Sequence, residues 1–357
     1  MNRILFICNG AKKPDYTPSG SGYSVQPAGL ANSARLVVEM LNKQGIEAKL
    51  VHVVDNDDID RVVTEFRPTL VVIEALWVVP SKFIILKELH PTVKWMVRLH
   101  SEIPFIACEG IAIQWVKAYL AMDIKVTANS RRMQRDMGYL VGDESIGYTP
   151  NYYYPEHVYK KKHDLKGTTA LLYTDDSRED LESVIHVGCF GAIRLLKNHL
   201  IQAVAAMRYA DKHDLTLVFH INGAGQDSVG KQIYKNIEHL FENTKHFLID
   251  HGWYSHADFL SLLECIDVGM QVSLSETFNI VTADLVHLGK PVVVSDEVSW
   301  ISGVSKVDAS DVDSIVAGLE KVLRWSKLGI PEYLNARALR KHAKHSIRAW
   351  KKYLDNQ

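Results

Sequence analysis

The sequence predicts an α/β protein that is built from two doubly wound domains. Three observations support this prediction: the chain has 357 residues, short apolar runs alternate with helical patterns along most of it, and the alternation stops once near the middle. One hydrophobic core seldom serves a chain of this length, so two domains of about 150 to 200 residues each are expected.

The first half shows the alternation clearly. The apolar run RILFIC precedes the helical pattern LANSARLVVEMLNKQG, which ends at Gly45, and EAKLVHVV, DIDRVVTEF and TLVVIEAL continue the series. Further along, VKWMVRLH, GIAIQWVKAYLAM and IKVTANS precede a helix that begins at Ser130. Strands that alternate with helices form parallel sheets with helices on both faces.

The alternation is interrupted in residues 147–183, which are rich in Tyr, Pro, Lys, Thr and Asp and have no regular period. Such a segment is typical of a linker. The pattern then resumes with HVGCFGA and KNHLIQAVAAMRYADKH. We predict domains at residues 1–160 and 161–336 and a C-terminal helix at 337–357. A ligand would lie in a central cleft that the carboxyl ends of both sets of strands can face.

The composition is that of an ordinary globular protein, with 47% hydrophobic and 23% charged residues. The longest apolar stretch, residues 69–86, is broken by Glu74, Pro80 and Lys82 and is too short for a membrane span. The N-terminal apolar run is also too short for the core of a signal peptide. The four cysteines show no paired spacing, which favours free thiols in a reducing cytoplasm.

The charges are unevenly distributed although the net charge is only −1. Residues 337–357 carry seven Lys and Arg against one acidic residue, whereas the rest of the chain is neutral to acidic. The apolar face of this predicted helix consists of Leu339, Ala343, Ile347, Trp350 and Leu354. The tail is therefore a basic patch on a neutral body.

Residues 268–295 form the most informative segment of the chain. An alternating strand, predicted at residues 268–275, runs into a polar turn, a helix of about ten residues that Gly289 closes, and a second apolar strand after Pro291. The turn places the backbone amides of Thr277, Phe278, Asn279 and Ile280 at a helix N-terminus. Unpaired amides and the positive end of the helix dipole there suit a diphosphate.

Two carboxylates accompany this turn, since Glu276 precedes the helix and Asp284 lies about one turn inside it. A pair with this spacing can accept hydrogen bonds from the hydroxyls of a sugar and of a ribose, with phosphates between them. The spacing equally permits a structural interpretation, in which Glu276 caps its helix and Asp284 is a solvated helix residue. From the residues alone, both interpretations are open.

The segment SETFNIVTADLVHLGKPVVVSD resembles the signature of retaining GT-B glycosyltransferases, in particular glycosyltransferase family 4. That signature is a glutamate, seven residues and a second glutamate, followed by small residues and a Gly, Pro and Val pattern. The resemblance extends over most of the chain at low similarity, with its motifs after residue 185. It implies two Rossmann-like domains, an acceptor-side domain and a nucleotide-sugar donor domain. Asp284 departs from the signature, because it stands where the second Glu is usual.

The resemblance implies roles for further residues of the second half. VGCFGAIRLLKNHLIQAV is similar to the segment that opens the donor domain and would bring Arg194 and Lys197 to the diphosphate, where two cations stabilise a leaving group. The donor site would also include a glycine turn at Gly223 and a base region at Gly252, Trp253 and Leu263. The Glu276 carboxylate would contact the transferred sugar and Asp284 the ribose.

In the first half, PSGSGY resembles a glycine-rich loop, with Gly20 and Gly22 beside the donor or the acceptor. VRLHSE would place His100 at the end of a strand, where the family has a histidine that contacts the transferred sugar. A flexible loop and a structural histidine are the alternatives at these two places.

No metal or organic cofactor is expected beyond a nucleotide-diphosphate sugar as co-substrate, a UDP-sugar or a GDP-sugar. Asp55, Asn56 and Asp57 fit the Asp-x-Asp pattern of metal-dependent glycosyltransferases, but they precede a short helix and are better explained as a cap. No nucleophile or catalytic triad is evident. The resemblance implies a retaining transfer in which the leaving phosphate takes the proton of the incoming hydroxyl.

The acceptor is open between a glycan or lipid-linked glycan, a small metabolite, and DNA that carries a hydroxymethylated pyrimidine, as in phage enzymes of this compact type. The basic tail predicts either a helix that packs back on the first domain or a contact with an anionic partner. A nucleotide-sugar binding module without turnover is the non-enzymatic alternative.

Overall fold

The computed structural model describes residues 3–10, 28–154, 183–223 and 228–356. The chain divides into two compact units. Unit 1 consists of Met1–Tyr153 together with His342–Gln357, and unit 2 consists of Tyr154–Lys341.

Unit 1 is a parallel sheet with helices between its strands. In chain order its elements are β1 (Arg3–Asn9), α1 (Ala28–Lys43), β2 (Glu47–Val53), α2 (Ile59–Phe66), β3 (Leu70–Glu74), α3 (Pro80–Leu89), β4 (Lys94–Leu99), α4 (Ile103–Ile106), α5 (Ala112–Ala121), β5 (Lys125–Ala128), α6 (Arg131–Val141) and β6 (Gly147–Tyr148). The strand order is β2-β1-β3-β4-β5-β6, and every neighbouring pair is parallel. The carboxyl ends of these strands therefore lie along one edge of the sheet.

Unit 2 repeats this arrangement with a second parallel sheet. Its elements are β7 (Val184–Gly188), a 3₁₀ turn (Leu195–Lys197), α7 (His199–Lys212), β8 (Thr216–Ile221), α8 (Ser228–Phe241), β9 (Phe247–Asp250), α9 (His256–Glu264), β10 (Val268–Gln271), α10 (Ile280–His287), β11 (Val292–Ser295), a second 3₁₀ turn (Gly303–Ser305), β12 (Lys306–Val307) and α11 (Val312–Ser326). The strand order is β12-β11-β10-β7-β8-β9. The last helix, α12 (Ile330–Asp355), begins in unit 2 and ends in unit 1.

The two predicted doubly wound α/β domains are confirmed by these sheets, and the structure differs from the prediction in detail. The apolar stretch at residues 69–86 divides into β3 and α3, because Pro80 begins a helix that interrupts the run. The strand predicted at residues 268–275 ends at Gln271. It ends early because the amide of Val272 donates to the side chain of Gln202, at 2.8 Å, instead of to a neighbouring strand.

The C-terminal helix α12 buries an apolar face in unit 1. Trp350 is fully buried, and its ring lies 5.8 Å from that of Phe6 and beneath the guanidinium of Arg98. Its indole N–H donates to the carbonyl of Pro150 at 2.8 Å. Of the predicted apolar face, Ala343, Trp350 and Leu354 are buried in unit 1, Ile347 is half-buried, and Leu339 is buried in the part of the helix that belongs to unit 2. This end of the helix is therefore part of the core of unit 1.

Three histidines lie in a row across the sheet of unit 2, on β7, on β8 and directly after β9. Nδ1 of His186 lies 3.0 Å from Nε2 of His220, whose Nδ1 lies 2.8 Å from Nε2 of His251. Burial, together with the repulsion that protonated His186 and His251 would exert, lowers the pKa of His220 to about 3. Burial also lowers the pKa of each of the other two. The row is therefore uncharged at neutral pH.

Within the described ranges, no helix is long and apolar enough to cross a membrane. All four cysteines are free thiols, as expected, and two of them, Cys8 and Cys189, are buried.

Replacing Trp350 with Ala is expected to destabilise the protein by about 3–5 kcal/mol, because the change leaves a large cavity in the core of unit 1. Denaturant unfolding measures this loss. Trp325→Ala is the matched control, since this tryptophan is 37% exposed and should cost much less. Equal losses in the two variants would contradict the assignment of Trp350 to the core.

Acidification is expected to destabilise unit 2 through His220. An unfolded histidine binds a proton below about pH 6.5, whereas folded His220 stays neutral down to a pKa of about 3. The stabilisation is therefore complete above pH 6.5 and is lost as the pH falls towards 3. The free energy of unfolding should fall between pH 7 and pH 5, and in His220→Asn this fall should be smaller by roughly 2 kcal/mol.

Urea unfolding at the two pH values measures this difference. The control is His239→Asn, which changes an exposed histidine of the same unit and should leave the loss unaltered. A His220→Asn protein that loses as much stability as the unsubstituted protein would refute the prediction.

Candidate functional site

The segment between β10 and α10 is fixed at the carboxyl end of the unit 2 sheet. The amide of Leu274 donates to the carbonyl of Leu196 at 2.8 Å, which joins this segment to the 3₁₀ turn that follows β7. The side chain of Asn198 donates to the carbonyl of Val272 at 3.1 Å. These bonds bring Lys197, which ends the 3₁₀ turn, close to Glu276.

Glu276 is a buried carboxylate with three polar partners. Its Oε1 forms an ion pair with Nζ of Lys197 and accepts hydrogen bonds from Ser273 at 3.1 Å and from Nδ2 of Asn279 at 2.9 Å. The residue is only 7% exposed. A buried charge requires such partners, because transfer from water is costly unless the charge is paired and hydrogen-bonded. The sequence-predicted residues Glu276 and Lys197 therefore meet.

Asn279, and not Glu276, caps the helix. Its Oδ1 accepts the amide of Thr282 at 2.8 Å, while its Nδ2 donates to Glu276 and to Gln271. The backbone of Asn279 has φ 57°, a conformation that Asn adopts more readily than most residues. Since the cap is Asn279, the structural interpretation of Glu276 as a helix cap is wrong. The asparagine instead joins the carboxylate to the helix.

The other residues of the turn lead into the N-terminus of α10. Thr277 is half-buried, and Ile280 is the first residue of the helix. Phe278 is buried with its ring 5.5 Å from that of Trp300, whose indole N–H donates to the Phe278 carbonyl at 2.6 Å. The aromatic pair anchors the turn, so the first amides of the helix occupy a fixed position. Amides at a helix N-terminus favour an anion.

Arg194 immediately precedes the 3₁₀ turn that carries Lys197. Its side chain is exposed and makes no hydrogen bond or ion pair with any described residue. The two predicted cations therefore differ, because Lys197 is held by Glu276 whereas the Arg194 guanidinium is directed into solvent. The 3₁₀ turn brings both cations to the same end of the β7 strand.

Asp284 is enclosed and paired with a histidine that the sequence analysis missed. Its Oδ1 lies 2.8 Å from Nε2 of His256, and its side chain is 2% exposed against 20% for the histidine. The interpretation of Asp284 as a solvated helix residue is therefore wrong. No sequence spacing connects the two residues, because the contact joins the start of α9 to the middle of α10.

Three of the remaining predicted donor residues, Gly223, Gly252 and Trp253, follow β8 and β9. Gly223 donates its amide to Asp250, and a side chain at this position would collide with that carboxylate, so the close approach requires glycine. Gly252 faces open space, and Trp253 is half-buried. Leu263 lies on α9 and is fully buried. Gly20 and Gly22 lie outside the described residues.

In unit 1, His100 follows β4 and belongs to a buried polar cluster. Its Nε2 bonds the Glu74 carboxylate, which also accepts from the Arg98 guanidinium at 3.2 Å, and its Nδ1 lies 3.5 Å from the amide of Asn129. Burial, only partly opposed by Glu74, lowers the pKa of His100. Burial alone would raise the pKa of Glu74, but Arg98 and His100 together lower it. The cluster thus holds a charged carboxylate beside a neutral imidazole.

The sequence itself contains a signal for this cluster. Glu74 is the one charged residue in the apolar run TLVVIEAL, and Arg98 interrupts the apolar part of VKWMVRLH. The two residues lie opposite each other in the register of β3 and β4, and both are fully buried. Opposite charges near the ends of two apolar strands predict a buried ion pair, because neither charge is stable there alone.

No group of His, Cys, Asp and Glu side chains that could hold a metal ion occurs in the part of the chain that the structure describes. In the Asp-x-Asp segment, Oδ1 of Asp55 accepts the amides of Asp57 and Asp58 at 2.8 and 3.2 Å. Lys82 forms an ion pair with Asp57. These residues therefore stabilise the turn that precedes α2.

Comparison with solved structures finds chains of the same fold at low sequence identity. An E. coli structure described as trehalose-6-phosphate bound with UDP-2-fluoro glucose is 10% identical to this chain. The alignment covers 99% of this chain and 98% of the E. coli chain, with a TM-score of 0.64. HepE from Anabaena, in complex with UDP and glucose, is 13% identical over 100% of both chains, with a TM-score of 0.67.

An α,α-trehalose-phosphate synthase (UDP-forming) from Burkholderia xenovorans, in complex with glucose-6-phosphate, is 11% identical. It covers 84% of this chain and 77% of its own, with a TM-score of 0.64. No protein-family model and no curated protein matches the chain. The similarity of this chain to these structures, together with its two six-stranded parallel sheets, shows that the chain has the GT-B fold of two Rossmann-like domains.

Proposed function

We propose that this protein is a retaining glycosyltransferase that moves a sugar from a nucleotide-diphosphate sugar to an acceptor hydroxyl. The observation that carries the proposal is the Glu276 carboxylate, which Lys197 and Asn279 hold directly before the N-terminus of α10. A carboxylate, a cation and the amides of a helix N-terminus at one place suit a sugar that is linked to a diphosphate. The shared fold with structures that contain UDP and a glucose derivative supports this choice.

The proposed reaction breaks the bond between the anomeric carbon and the terminal phosphate oxygen and forms a bond from that carbon to the acceptor oxygen. The acceptor's proton passes to the leaving phosphate, and a nucleoside diphosphate departs. Lys197, Arg194 and the first amides of α10 would stabilise the negative charge that develops on that phosphate. Glu276 would accept hydrogen bonds from the sugar hydroxyls and orient its anomeric carbon.

The arrangement of unit 2 suggests how the donor would lie. The turn at Gly252 and Trp253 would border the base, Asp284 would mark the ribose position, and the turn at Gly223, whose amide donates to Asp250, would lie beside the nucleotide. The N-terminus of α10, from Thr277 to Ile280, would receive the phosphates. A UDP-sugar or a GDP-sugar fits this order, and UDP is the nucleotide named for all three of the similar structures described above.

His100 is the residue of unit 1 that we propose to contact the transferred sugar. Its Nε2 is engaged by Glu74, which fixes the ring and its tautomer. Because its pKa is lowered, the ring is neutral at pH 7 and can take part in hydrogen bonds with a sugar hydroxyl without adding a charge.

One observation favours a polyanionic acceptor as a second candidate function. The seven cations of α12 fall within one arc of about 120°, since successive residues of a helix are separated by about 100°, and no acidic residue occurs between Glu332 and Asp355. Solvated helix faces usually mix both signs of charge. We propose on this basis that the acceptor hydroxyl is on a hydroxymethylated pyrimidine of duplex DNA. The cations are Arg337, Arg340, Lys341, Lys344, Arg348, Lys351 and Lys352.

Glu276→Gln is expected to reduce the release of nucleoside diphosphate from the preferred donor by about 100-fold or more, because a charged contact to the sugar is lost at the reacting centre. The assay incubates the protein with a panel of nucleotide sugars and acceptors and measures nucleoside diphosphate and product. Glu264→Gln, which changes an exposed glutamate at the end of α9, is the matched control and should retain full activity.

Equal activity in the Glu276 and Glu264 variants would refute the site. No transfer or hydrolysis by the unsubstituted protein, with every donor and acceptor, would refute the enzyme and favour a binding module. Conversion of the donor into a different nucleotide sugar, in the absence of acceptor, would instead indicate epimerisation.

Duplex DNA is expected to bind the protein at low salt, and the affinity should fall steeply as salt rises, because cations of α12 release counterions from the phosphates. Fluorescence anisotropy with a labelled duplex measures both quantities. Replacing Lys344 and Lys351 with Glu should weaken binding at least tenfold, whereas Lys231→Glu, an exposed position of unit 2, should not. Absence of binding at low salt would eliminate the DNA acceptor and leave the donor site unaffected.

A further inference from the structure

At the ribose position proposed above, unit 2 exposes the imidazole of His256 rather than the carboxylate of Asp284. The carboxylate is almost fully enclosed, whereas the imidazole bonded to it is ten times more exposed, at 20% against 2%. The distance of 2.8 Å between Nε2 and Oδ1 is that of a hydrogen bond to a charged acceptor. A ligand that approaches this part of α10 therefore meets the imidazole before it meets the carboxylate.

The position of His256 along the chain agrees with a role at the nucleoside. It is the first residue of α9 and comes three residues after Trp253, in the turn that we assign to the base. The Ser255 side chain accepts the amide of Asp258 and thereby fixes the start of this helix. His256 thus links the base region to α10 through its bond with Asp284.

The distance along α10 also fits a nucleoside diphosphate. Asp284 is four positions after Ile280, which corresponds to about 6 Å along the helix axis. This is roughly the span of a diphosphate. A donor with its terminal phosphate at the helix N-terminus and its base at the Gly252 turn would therefore have its ribose beside His256.

On the basis of the proposed function, we propose that His256 binds a hydroxyl of the donor ribose and that Asp284 is a positioning residue that acts through it. The carboxylate holds the Nε2 proton, which sets the orientation and the tautomer of the ring. Aspartate is one methylene shorter than glutamate, so its carboxylate reaches less far from α10. The imidazole of His256, on α9, would lie between this carboxylate and the ribose hydroxyl. The residue that discriminates ribose is thus on α9, and the residue that orients it is on α10.

The test compares the binding of nucleoside diphosphates that differ only in the ribose. Calorimetry measures the affinity of the complete protein for UDP and GDP, and then, for the tighter of the two, for its 2′-deoxy and 3′-deoxy forms and for inorganic pyrophosphate. The unsubstituted protein should bind the full ribose about 5- to 10-fold more tightly than at least one deoxy form, the value of one hydrogen bond. His256→Ala should abolish this ratio and leave the pyrophosphate affinity unchanged.

Two further variants separate positioning from folding. Asp284→Ala should also reduce the ratio, whereas Asp284→Asn, whose amide oxygen can still accept from Nε2, should restore it. Thermal unfolding and pyrophosphate binding show whether each variant is folded. His239→Ala, at an exposed histidine of the same unit, is the matched control.

The outcomes distinguish this inference from the proposed function. If the unsubstituted protein binds neither UDP nor GDP, both are overturned. If it binds one of them, two results overturn only the role of His256. In the first, His256→Ala keeps the preference for the full ribose over the deoxy form. In the second, His256→Ala loses as much affinity for pyrophosphate as it loses for the nucleotide. If Asp284→Ala keeps the ratio, the positioning role of Asp284 is overturned.

Discussion

The candidate donor site depends on the buried Glu276 carboxylate and on the elements that supply its partners. Lys197 comes from the turn after β7 and Asn279 from the start of α10, and Gln271 at the end of β10 accepts from Asn279. Asn279 is central because the same side chain caps the helix and donates to Glu276. A change at any of these positions would remove one of the hydrogen bonds or ion pairs of this network, which together hold the carboxylate and the helix amides in one arrangement.

Unit 1 contains a comparable constraint at the same edge of its own sheet. Glu74 and Arg98 lie opposite each other on adjacent strands, and both are buried. Arg98 also donates to the carbonyl of Thr149 at 2.9 Å and lies over the ring of Trp350. The ion pair therefore links the catalytic candidate His100 to the core that α12 completes. Removing either charge would leave the other buried and unpaired, which is costly.

Both units place their polar clusters where parallel strands end, and the reason is common to all doubly wound sheets. Ligands of such sheets bind beyond the carboxyl ends of the strands, where the loops and the helix N-termini lie. In unit 2 this region carries opposite charges and helix amides, which suit a charged donor. In unit 1 it carries a neutral imidazole beside a paired carboxylate, which suits uncharged hydroxyls.

The sequence by itself determined the fold class, the division into two sheets and the turn that contains Glu276, because these follow from apolar periodicity and from local turn chemistry. It also indicated that α12 has an apolar face, which the burial of Trp350 and Leu354 confirms. Only the tertiary structure decided which partners the site residues have. Asn279 proved to be the helix cap, which the local pattern did not distinguish from Glu276. Asp284 is enclosed beneath His256, and β10 ends early because Gln202 binds the Val272 amide. The last two contacts join residues that are remote in the chain, and a pattern of local periodicity contains no information about them.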